Sequence, residues 1–163
     1  MIIFGKPLSE YVAFCKWFLI LIPVTGIVRL ALSLGGTPNS TARWLSMTAL
    51  VWIAVIFLAI RVHTSGFGSY KQLLVLCALV NLSAQVIAIF GIVLAILTDT
   101  NNIFSVPEAF FGSDGKTWLH VGAHLTVGTF VAPLPLWLVG SVILAATRKL
   151  SAPSSATRDS LVK

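Results

Sequence analysis

Acidic residues are the scarcest thing in this chain: five Asp and Glu among 163 residues, against 11 Lys and Arg, for a formal charge of +6. Charged residues make up only 10% of it, where a soluble domain carries about 25%. So few charges cannot cover a water-facing surface, which excludes an ordinary soluble enzyme and a disordered chain. A nucleic-acid-binding domain is excluded as well, since its basic residues would cluster with exposed aromatics on a soluble face. Cysteine is nearly absent: Cys15 and Cys77 stand alone, with no CxxC spacing, and read as small apolar helix residues. Neither His120 nor His124 is followed by Glu, so the zinc-protease pattern is missing. Ser, His and acid do not cluster, and no glycine-rich loop cradles a phosphate. The chain therefore reads as non-enzymatic. No internal repeat is visible.

What is abundant is apolar length, with 57% of residues hydrophobic. A spanning helix needs about 20 mostly apolar residues. Runs of that kind cover about 11–34, 44–60, 73–97 and 119–146. Strands with open edges cannot cross lipid, because their backbone groups would go unpaired. The expected fold class is thus all-α: an integral membrane bundle of four transmembrane helices, with a long outer loop between helices 3 and 4. Residues 1–150 form that domain, and 151–163, rich in Ser, Thr and Pro, form a flexible cytoplasmic tail. The first run has the outline of a signal peptide, but its long lead-in with Glu10 and the late Arg29 argue for a retained helix.

Orientation follows the basic residues near the helix ends. With the N-terminus cytoplasmic, that side holds Lys6, Lys16, Arg61, Lys71, Arg148, Lys149, Arg158 and Lys163; Arg29, Arg43 and Lys116 belong to the other. Both termini are expected in the cytoplasm, in a bacterial inner membrane. The bilayer is the first partner, and other membrane subunits or a second copy are the next.

Three groups of residues could carry function. On the third run, Ala78, Asn81, Ala84, Gln85, Ala88, Gly91 and Ala95 make one narrow small-and-polar face. Such a face packs helices closely and lets amides bond across. Asn81 and Gln85, one turn apart, point at the same neighbour. On the first run, Arg29 either snorkels outward or pairs with Asp99 or Glu108 of the outer loop. No acid lies within the spans, which argues against a carboxylate-driven proton-coupled transporter. On the fourth run, His120 and His124 share a face at the outer end, where two imidazoles can grip one transition metal. Asp99, Glu108 and Asp114 could complete that metal; a single-His haem or a quinone hydrogen bond would need fewer ligands. His63 reads as a solvated residue of an inner loop.

The loop from Thr98 to Thr117 mixes Ile103, Phe104, Val106, Phe110 and Phe111 with polar residues, so it should lie in the interface or fold over the bundle mouth. Pro107–Glu108–Ala109 could open a short helix within it. Pro133 and Pro135 should interrupt the fourth helix. Three functions are compatible with this reading. The first is an accessory or assembly subunit of a membrane complex. The second is a redox, metal, haem or quinone-binding protein using the His pair. The third is a small-solute channel or transporter using Asn81, Gln85 and Arg29.

Overall fold

The computed structural model describes residues 1–107, 112 and 114–151. The chain opens with a two-residue hairpin, β1 (Ile2–Ile3) against β2 (Lys6–Pro7). Then come α1 (Leu8–Leu34), the short α2 (Asn39–Ala42), α3 (Met47–Thr64) and α4 (Tyr70–Thr98). The last span is continuous but changes character twice, from α5 (Trp118–Ala123) through a π-helical segment (His124–Val131) to α6 (Pro133–Ser151).

Four stretches are long and apolar enough to cross a membrane: Leu8–Leu34, Asn39–Thr64, Tyr70–Thr98 and Trp118–Ser151. The all-α membrane bundle expected from the sequence is what the chain forms. At about 1.5 Å per residue, the 29 residues of α4 reach about 44 Å, well beyond a 30 Å hydrocarbon core. An even number of crossings puts both ends of the bundle on one face.

The helices begin where the sequence supplies caps. Ser46 accepts from the Ala49 amide (3.2 Å) at the start of α3, and Thr117 accepts from the His120 amide (3.2 Å) at the start of α5. Ser69 and Gln72 form a reciprocal box before α4. Because α3 continues to Thr64, His63 sits in its last helical turn rather than in a loop. Trp44, expected to begin the second span, lies exposed between α2 and α3.

Helix α4 is the axis, packed against α1, α3, the π-helical segment and α6. Leu73, Leu76 and Ile92 of α4 meet Ile22 of α1, Leu58 of α3 and Leu144 of α6 in a fully buried core. The opposite faces carry exposed Ile20, Val24 and Ile27 on α1, and Leu138 and Val142 on α6. That inverted exposure is what a lipid solvent demands.

The two ends differ. At the end holding the N-terminal hairpin, cations lie over aromatic rings: Arg61 over Phe14 (4.8 Å), Lys6 over Phe67 (4.6 Å) and Arg148 over Tyr70 (4.9 Å). The hairpin is tied down there by Tyr11, whose hydroxyl donates to the Ile3 carbonyl (2.9 Å), and by Gln72, which donates to the Phe4 carbonyl (2.9 Å). The other end carries α2, the long loop and α5. There the described first part of the loop folds inward, with Ile103 and Phe104 joining the buried core.

Candidate functional site

Just inside that mouth, a run of hydrogen bonds joins α4 to the π-helical segment. Asn81 donates through Nδ2 to the Gly128 carbonyl (2.8 Å). Gln85 donates through Nε2 to Asn81 Oδ1 (3.4 Å), and its Oε1 faces His124 Nδ1 at 2.5 Å. The direction of the chain is fixed from its far end. A backbone carbonyl can only accept, so the Asn81 amide nitrogen must face it. Asn81 Oδ1 then faces Gln85, and Gln85 Oε1 faces the histidine. His124 must therefore carry its proton on Nδ1. Its Nε2 keeps a lone pair, and no hydrogen-bond donor among the described residues is set against it.

The backbone permits this approach because residue 128 is glycine. A Cβ built there would lie 2.6 Å from Gln85 Oε1. The π-helical turn provides the room: its wider i→i+5 bonding suits sites of function, and the Thr129 hydroxyl donates to the His124 carbonyl (2.9 Å) within it.

His120 is only 2% exposed. Its Nδ1 donates to the Gly115 carbonyl (2.9 Å), and its ring centroid lies 5.0 Å from that of His124. The two imidazoles thus lie side by side at this end of the span. The two described acids of the outer loop are engaged elsewhere. Asp99, in a left-handed conformation after α4, pairs with Lys116 at 2.6 Å and is 93% exposed. That hydrogen bond and the nearby ammonium hold its carboxyl below the usual carboxylate range. Asp114 accepts from the Lys116 amide (2.9 Å), at an exposed position. Glu108 and the expected helix start around it lie outside the described residues. Among the described residues no three His, Cys, Asp or Glu gather as a metal site. Two imidazoles four apart on one helix also cannot sandwich a porphyrin. The donor set among the described residues fits neither a protein-held transition metal nor a bis-histidine haem.

Arg29 does not pair with Asp99, whose partner is Lys116. Its guanidinium carbon stands 5.5 Å from the Phe104 ring centre, and its Nε is buried without a hydrogen-bond partner. It faces a cavity of about 410 Å³ lined also by Asn81, Gln85 and His124. The remaining wall is mostly apolar, with Trp52, Phe104 and Leu136 among it.

Sequence reasoning missed what closes the cavity. Asn102 is buried; its Nδ2 donates to the Gly91 carbonyl (2.7 Å) and its Oδ1 accepts from the Phe104 amide (2.9 Å). Its own amide donates to Ser105 Oγ (2.9 Å). This latch drops Phe104 onto Gly91, where a Cβ would collide with the ring. The Asn–x–x–Ser spacing of a local turn was the available signal.

No known protein family matches the chain, and no curated protein or solved structure is similar to it.

Proposed function

We propose that the protein is a non-catalytic membrane binding protein, and that the mouth-side cavity takes a small lipid-soluble molecule with an oxygen-bearing head, of the quinone class. The observation that carries this is the fixed tautomer of His124. It offers a lone pair at Nε2, while Arg29 offers only donors. A head with a hydroxyl on one side and an accepting oxygen on the other satisfies both. The cavity volume suits a head ring and the start of a tail, within the roughly 300–1,000 Å³ usual for ligand sites. Trp52 and Pro135 in its wall are also exposed on the outer surface, which allows entry from the bilayer.

A bundle of this size, with no catalytic cluster among the described residues, suits an accessory or assembly subunit of a larger membrane complex, or a self-associating unit. The eight-to-three division of basic residues supports an orientation with both termini cytoplasmic, which we place in a bacterial inner membrane. A solute path is the second reading, because Arg29 and Ile103 border this cavity and another outside it.

The test is direct. The full chain, purified in detergent, should quench its tryptophan fluorescence on titration with a short-chain quinol, and His124→Leu and Gln85→Leu should each weaken that binding. No quenching by the quinol or its quinone, or binding untouched by both substitutions, would overturn the proposal.

A further inference from the structure

The second cavity, of about 530 Å³, lies at the end of the bundle that carries α2. Arg29, Asn39, Ser40 and Arg43 line it on one part, and Ile103 and Pro107 on another. The polar groups that the described residues bring to it are nearly all donors. Ser33 donates to Asn39 Oδ1 (3.0 Å), which occupies that oxygen and leaves the Asn39 amide hydrogens to be given away. Arg29 and Arg43 bring guanidinium groups, which never accept. No acid among the described residues lines the cavity. The two ion pairs of the described residues, Lys6–Glu10 and Lys116–Asp99, use other cations. Two positive charges facing one cavity repel each other unless something negative sits between them. Guanidinium forks match an oxyanion in two-point contacts, and the space exceeds what a halide needs.

We infer that this outer cavity is an oxyanion site that takes a phosphate group through Arg29, Arg43, Asn39 and Ser40. The phosphate can be that of an anionic lipid headgroup or free phosphate from the aqueous side. Arg29 borders both cavities, whereas Arg43, Asn39 and Ser40 line only this one, so Arg43→Gln separates this site from the inner one.

The experiment uses the full chain in neutral detergent, with two probes. Inorganic phosphate is titrated while thermal unfolding is followed by tryptophan fluorescence. In parallel, native mass spectrometry measures retention of phosphatidylglycerol against phosphatidylcholine. Stabilisation by millimolar phosphate without lipid preference assigns the free anion. Preferential retention of phosphatidylglycerol, with phosphate silent, assigns the headgroup. In either case Arg43→Gln and Arg29→Gln should each weaken the bound probe about tenfold or more. Lys149→Gln, at the opposite end, should leave it unchanged. If Arg29→Gln fails to fold, Arg43→Gln carries the test alone, since Arg43 is exposed. Binding of neither probe, or binding that survives the arginine substitutions, overturns the site.

Discussion

Substituting Gly128 by Ala tests the hydrogen-bond chain at its tightest point. The new methyl would sit 2.6 Å from Gln85 Oε1 and 2.9 Å from its Cδ, so the Gln85 amide must swing away. That breaks its contacts with His124 and Asn81. Interhelical hydrogen bonds in lipid are worth about 0.6 kcal/mol on average and up to about 1.7, so the loss amounts to roughly 1–2 kcal/mol. Against it stands the gain from replacing glycine within a helix, up to about 1 kcal/mol. The single variant should therefore be destabilised by only about 0–1 kcal/mol, which is a poor readout. The cycle with Gln85→Ala separates the two terms. In that background the obstructing amide and its bonds are already gone, so Gly128→Ala should be neutral or stabilising. The coupling between the two sites should be about 1–2 kcal/mol, as for residues in one network. Reversible unfolding of the full chain in mixed micelles measures all four corners. Equal effects of Gly128→Ala in both backgrounds would refute the argument.

Asn102→Ala should cost about 1–3 kcal/mol in thermal unfolding, because a buried carbonyl and amide lose their partner; it should also speed hydrogen exchange at Phe104. Asn81→Leu should cost roughly 0.5–1.5 kcal/mol by the same measurement, whereas a lipid-facing residue would tolerate it. The Asp99–Lys116 pair has a definite sign with pH. Its carboxyl is held low in the fold, so any contribution is complete above the ordinary carboxylate range and vanishes as pH falls through the lowered value. Carbon NMR of the Asp99 carboxyl should show its titration moving up in Lys116→Met. For orientation, Thr100→Cys should react with an impermeant thiol reagent on intact cells, and Ser65→Cys only after permeabilisation. The native Cys15 and Cys77 are buried and should stay silent; the reverse pattern would invert the topology.

The spans were legible because lipid imposes a one-dimensional rule on composition. Asn81 and Gln85 were legible as a pair because one helical turn separates them. Their partners were not, since Gly128 contributes only a backbone carbonyl, which every residue has. The Asn102 latch was hidden for the same reason, its main partner being the carbonyl of Gly91. The acids were expected beside the histidines because loop and helix meet there. Lys116 intercepts Asp99 instead, at an exposed position where water makes the contact inexpensive to form. The hairpin escaped notice because its turn puts Phe4 at a positive φ of 46°, which an aromatic residue rarely adopts. Pro133 read as a break within a helix. It stands where the π-helical segment passes into α6, and the amide hydrogen it lacks leaves the Gly128 carbonyl open to Asn81.

That segment also sets the phase of the last span. Each residue of an α-helix advances the azimuth by about 100°, so a stretch wound more slowly retards everything beyond it. The turn bearing His120 and His124 and the half bearing Gly140 and Leu144 are thereby clocked separately: the first toward Gln85, the second so that Gly140 closes on Val55 and Leu73. Wound regularly over the same eight residues, His124–Val131 would advance further, and the two halves could no longer both face inward. The slower winding is what lets a single helix serve a polar mouth and an apolar base at once.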